Sequence, residues 1–203
     1  MNVFIDSYNI RRFPRELQLF SQKNITMAKV NKEWESKVMD DLFSKDDDKV
    51  RKAIEALQEH PQVHFISPLI SVFIHSSEGD LKNELRDILN TVKVSGFEEE
   101  FMKALRNTEW KAHYGQIMAF MWNCGGNPKD HVKELIQIGI NGGMETILEC
   151  YSIIEVMDGP LSEEQLIESQ TFLHEQFKQM PDGHPKQIVA MISNLLAEKE
   201  IED

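Results

Sequence analysis

His60 and His64 stand four residues apart, the interval that sets two imidazoles on one helix face and lets them share a metal ion. Their interior reads Pro-Gln-Val, without the glutamate that a His-Glu-x-x-His hydrolase uses as its base, and Pro61 marks a helix boundary between them. No metal site is read there. His113, His131, His174 and His184 stand alone and read as hydrogen-bonded surface or boundary residues. Cys124 and Cys150 fall on separate elements, outside any Cys-x-x-Cys spacing, and are expected to be reduced and partly buried. Glu98, Glu99 and Glu100 offer paired carboxylates for acid–base work, but a helix N-terminus attracts such a run through its dipole. The sequence holds no Gly-x-Ser-x-Gly, phosphate-binding loop or dinucleotide fingerprint. The chain is expected to be no enzyme and to need neither cofactor nor metal.

The elements that carry these residues repeat. Ile54 and Leu57 align with Leu85 and Ile88, then with Ile117 and Phe120, then with Ile153 and Val156, in steps of 31, 32 and 36 residues. A second stripe follows in step: Leu69 and Phe73, Phe101 and Leu105, Leu135 and Ile138. A period of this length marks supersecondary units that bury their apolar faces only by stacking.

The pattern predicts four helix pairs, Asp46–His60 with Pro61–His75, Gly79–Lys93 with Phe97–Asn107, Glu109–Asn123 with Pro128–Ile140, and Met144–Met157 with Ser162–Met180. A last helix follows at Pro185–Lys199. Ser95 with Glu98, and Ser162 with Gln165, have the capping-box spacing. Ahead of the pairs, Ile10, Phe13, Leu17 and Phe20 predict a short amphipathic helix, and Met27, Val30, Trp34, Val38 and Leu42 a capping helix over 26–43. Pro61–His75 is apolar almost all round, so residues 10–43 are expected to pack over it. Trp110, Tyr114, Ile117, Met118 and Met121 share a face and read as core. No segment alternates at period two, and no sheet is predicted. The expected organisation is one continuous domain, with an N-terminal extension over 1–45 and the repeats over 46–203.

Charge narrows the partners. With 34 acidic against 22 basic side chains the net charge is −12, which disfavours nucleic acid. Residues 1–30 are the exception, with Arg11, Arg12, Arg15, Lys23 and Lys29 against Asp6 and Glu16. That basic segment is expected to dock on the chain's own acidic body or on a partner. There is no apolar start of the signal-peptide kind and no run long enough to span a bilayer, so a soluble cytoplasmic protein without membrane contact is expected.

Paired helices, short Gly, Pro and Asn breaks, and Leu, Ile and Val stripes at this period resemble the HEAT and armadillo-like α-α superhelix group from about Asp46 to Lys199. HEAT units run closer to about 40 residues, so the shorter period here is nearer to compact two-helix units. The resemblance implies an all-α, right-handed superhelix of about four hairpin repeats with N-terminal capping helices and a C-terminal helix. It also implies that the second helices line a concave face that holds another protein or peptide. On that face the candidates are Glu99, Arg106, Asp130, Glu134, Gln137, Glu164, Glu168 and Glu175. Met102 and Lys103, Lys133, Thr171, and the set His64, Ser67, Ser71 and His75 share the same stripes.

The leading expectation is a non-enzymatic scaffold, a monomer being favoured, whose acidic face receives a protein or peptide of basic character. An inhibitor or immunity-type protein that neutralises a basic partner is the alternative within binding. HEAT-like DNA glycosylases offer an enzymatic alternative, but they need a basic groove, and these faces carry more acids than bases.

Overall fold

The structure, a computed structural model, describes residues 32–199 and residue 201. The expected helix at residues 10–20, the start of the capping helix and the docking of the basic segment lie outside the described residues. Two compact units are distinguished, Met1–Ala53 and Ile54–Asp203, and the division falls within a helix. In the first unit a helix α1 is described over residues 32–42, with Val38 and Leu42 buried, and α2 begins at Asp47. Asp47 and Asp48 occupy the first turn of α2 (Asp47–Glu59), where the helix dipole favours negative charge.

In the second unit the helices are α3 (Ile66–His75), α4 (Asp80–Thr91), α5 (Phe97–Leu105), α6 (Tyr114–Asn123), α7 (Val132–Gly142), α8 (Met144–Val156), α9 (Glu163–Gln179) and α10 (His184–Ala197). The chain is all-α. Among the described residues the one β-type feature is an isolated parallel bridge between Leu161 and Ile201.

Three helices start later than their apolar stripes suggest, each behind a 3-10 turn: Val63–Phe65, Thr108–His113 and Lys129–His131. For α3 the cause is Pro68. An α-helix begun at Pro61 would hold Pro68 in its interior, where proline breaks a hydrogen bond and clashes with the preceding turn. Begun at Ile66, the helix places Pro68 in its first turn, where no N–H is needed. The capping box at Ser162 and Gln165 is formed. The one at Ser95 and Glu98 is not, because Gly96 takes the N-cap place of α5 in the left-handed conformation, φ 82°.

The second unit is built by contacts between neighbours. Helices pair as α3 with α4, α5 with α6, α7 with α8 and α9 with α10, one helix out of step with the expected pairs, because α4 and α8 pack on the helices just before them and not on those just after. One layer then runs α4 on α6, α6 on α8 and α8 on α10, while α3 packs on α5 and α7 on α9. This packing is compatible with a helical repeat. Links between pairs carry the sequence period as a distance along the chain. Asn123 Nδ2 donates to Asn90 Oδ1 across 33 residues, and the Cys124 thiol to the Leu89 carbonyl across 35. Asn127 Nδ2 donates to the Asp158 carbonyl across 31, and Gln165 Nε2 to the Lys129 carbonyl across 36.

The stripes form the core. Leu85, Ile88, Phe101, Leu105, Ile117, Phe120, Leu135 and Ile153 are buried, and Phe73 sets its ring edge-on to Phe120 at 5.1 Å. Two stripe positions depart. Val156 is 52 % exposed, its place taken by the buried Met157, and Ile138 is only half-buried while Ile136 is buried. Tyr114, Met118 and Met121 are core as expected, whereas Trp110 is half-buried. Cys124 and Cys150 are free thiols, fully rather than partly buried.

Candidate functional site

α5, α7 and α9, with the turns before them, carry the polar stripes. Glu99 lies in the first turn of α5 and Arg106 just past its end, two turns apart on one side of the helix. Arg106 reaches across to α7. Its Nε and Nη2 donate to the two oxygens of Glu134 at 2.7 and 2.8 Å, a bidentate fork, while Nη1 donates to Glu99 Oε1 at 2.8 Å. His131, in the turn before α7, stands between the same carboxylates, with Nε2 2.9 Å from Glu99 Oε2 and Nδ1 3.6 Å from Glu134 Oε2. Next to Glu134 in sequence, Lys133 Nζ donates to Glu168 Oε2 on α9 at 3.0 Å.

The electrostatic consequences follow from these bonds. Hydrogen bonds from Arg106 hold the Glu134 and Glu99 carboxyls below the usual carboxylate range, against a smaller opposing effect of burial. The same bonds raise the guanidinium, Glu134 contributing most. Two carboxylates share one permanent cation, so the cluster carries one net negative charge unless His131 is protonated.

Of the eight sequence candidates, Glu99, Arg106 and Glu134 are therefore brought together, and Glu168 is joined to the same side through Lys133. Asp130 is exposed in the turn before α7, Gln137 is half-buried one turn beyond Lys133, and Glu164 and Glu175 are exposed on α9. Asp130, Glu164 and Glu175 have no ion pair among the described residues. Met102, placed by spacing on the same stripe, is fully buried, because α5 is covered on more than one side. His131 and Lys133 complete the network. The spacing of His131 to Glu134, three residues, was the available sign for the first.

Other chemistry is constrained by burial. The Cys124 thiol is pushed up to about 11 and that of Cys150 higher still, both by desolvation, so both are neutral near pH 7 and poor nucleophiles. Among the described residues no group of three or more His, Cys, Asp or Glu side chains could hold a metal ion. No helix among them is long and apolar enough to cross a membrane. His64 lies in the 3-10 turn before α3 with its ring 4.6 Å from that of Phe65.

Comparison with known proteins gives no significant match to a family model, a curated protein or a solved structure.

Proposed function

We propose that the chain is a non-enzymatic binding module, a HEAT-like superhelical repeat whose helices α5, α7 and α9, the second of each pair expected from sequence, hold a protein or peptide of basic character. The observation that carries this reading is the distribution of charge along those helices. On α5 and α7, Glu99, Glu100 and Glu134 are paired with Arg106 and Lys103, whereas on α9 Glu168 is paired with Lys133 but Glu163, Glu164 and Glu175 have no ion pair among the described residues. Open carboxylates attract a cationic partner and speed its encounter, and the matched pairs hold neighbouring helices in place. Internal pairing also alters which residues bear on binding. Glu99, Glu134 and Glu168 support the surface, and Asp130, Glu164 and Glu175 face the partner.

The test is titration of a lysine-rich peptide into the full chain at two salt concentrations. Binding is expected to weaken on raising salt, and Glu164→Lys with Glu175→Lys is expected to reduce affinity at least about tenfold, the loss of two charge-assisted contacts. Equal affinity for the double variant overturns the reading.

A further inference from the structure

The last helix pair carries a preformed cleft. α9 and α10 run antiparallel and are tied at two levels. At one, Gln170 Nε2 donates to the Ser193 carbonyl at 2.7 Å while the Ser193 hydroxyl donates to Gln170 Oε1 at 2.6 Å. At the other, Lys186 Nζ lies over the Phe177 ring at 4.7 Å and is itself held by Asp182 at 2.9 Å. Residues 170 and 177 are two turns apart, so the ties stand about 10 Å from each other along the helix. Between them the helices leave a cleft of about 540 Å³. The buried Leu173 and Val189 form its floor, and Phe177, 39 % exposed, forms one side. Ile167 and Met191, 58 % and 46 % exposed, lie one turn or less from cleft residues on the same helices. A cleft held open by hydrogen bonds and a cation–π contact needs little reorganisation to receive a side chain.

The charge beside it is mainly acidic, since the cation over Phe177, Lys186, is matched by Asp182. Thr171 lines the cleft and also lies three residues after Glu168 and four before Glu175, on the acidic stripe of α9. α9 carries Glu163, Glu164, Glu168 and Glu175 against Lys178. An apolar slot with an acidic margin is complementary to an apolar side chain flanked by lysine or arginine.

We infer that the α9–α10 cleft is the docking site for a large apolar side chain on a basic, amphipathic segment of a partner protein. The inference rests on the binding-module reading and gives it an anchor. The apolar side chain fills the slot over Leu173 and Val189, and the flanking cations meet Glu164 and Glu175. Such a buried anchor ringed by polar contacts supplies most of the affinity of many interfaces.

The experiment is a titration of the isotope-labelled full chain with an 18-residue amphipathic peptide of leucine and lysine, alongside versions with serine for leucine and glutamate for lysine. Amide shifts are expected at Gln170, His174, Phe177, Val189 and Ser193, with at least tenfold weaker binding of either altered peptide. Ala190→Trp, which fills the slot from α10, is expected to abolish those shifts. Thr171→Lys, an exposed change that leaves the core untouched, is expected to weaken binding severalfold, so the outcome does not hang on the fold of one variant. Shifts at Asp130, Glu164 and Glu175 without any at Phe177, Val189 or Ser193 overturn the cleft but leave the binding module standing. Shifts on neither surface overturn both. Equal binding of the glutamate peptide, or a dimer of the free chain that Ala190→Trp dissociates, overturns the stated occupant.

Discussion

Arg106 is the residue on which the α5–α7 side of the surface depends. It makes three hydrogen bonds to two carboxylates that stand 35 residues apart in sequence, Glu99 and Glu134. The groups are 34 to 45 % exposed, so solvent screening limits the network to about 1 kcal/mol rather than the value of a buried pair. Arg106→Ala is therefore expected to lower stability by about 1 kcal/mol at neutral pH, measured by urea unfolding. The pH dependence has a definite sign. Both carboxyls lie below their ordinary value of 4.5 in the folded chain, so their contribution is complete above that pH and is lost as pH falls through the lowered folded values. The gap between the parent chain and Arg106→Ala is expected to close in that acid range; a gap unchanged down to pH 2 contradicts the assigned pairing. Spacing on a helix face identified Glu99, Arg106 and Glu134 but not their joining. The direction taken by a long side chain past the end of α5 depends on where α7 lies, which no local pattern records.

Helix boundaries and helix separations are set by a few small or rigid residues. Pro68 fixes the start of α3, a constraint that the apolar stripe of residues 63–74 hides because the stripe continues through the 3-10 turn. α7 and α8 are separated by Gly143 alone, at φ 100°, and lie close together. A Cβ on Gly139 would stand 2.8 Å from Cys150 Cβ and 3.1 Å from its Sγ, atoms fixed close to the α8 backbone. Gly139→Ala is expected to destabilise the chain by about 1 to 3 kcal/mol of overpacking, more than the roughly 1 kcal/mol that alanine gains in helix propensity. Gly115→Ala is the control. There the near atoms belong chiefly to the flexible, exposed side chain of Glu145, which can turn away, and the change is expected to be neutral or mildly stabilising. Thermal unfolding of the two variants separates these outcomes, and equal losses contradict the close α7–α8 approach. The glycines were legible as breaks at Gly142 and Gly143. Gly139 was not, because a close approach between helices leaves no trace in either helix alone.

At the scale of the whole molecule, the period was the most readable property, and it reappears as hydrogen bonds between pairs at separations of 31, 33, 35 and 36 residues. It was least accurate in its last unit, where α8 ends at Val156 and turns that residue outward, with Met157 buried in its place. Net charge was legible as a sum, but its division into matched and open acids required the fold, since Lys133 and Glu168 meet only across α7 and α9. The account's central claim is that α9 and its flank against α10 receive a basic partner while the exposed face of α8 does not. The most direct measurement places a photo-crosslinking residue at Thr171 on α9, and separately at Leu148, 44 % exposed on α8, and sequences the captured segment in cells that make the chain. Capture from position 171 of a segment with net positive charge and a large apolar residue is expected. Capture from position 148 alone, or of an acidic segment at 171, would contradict the account.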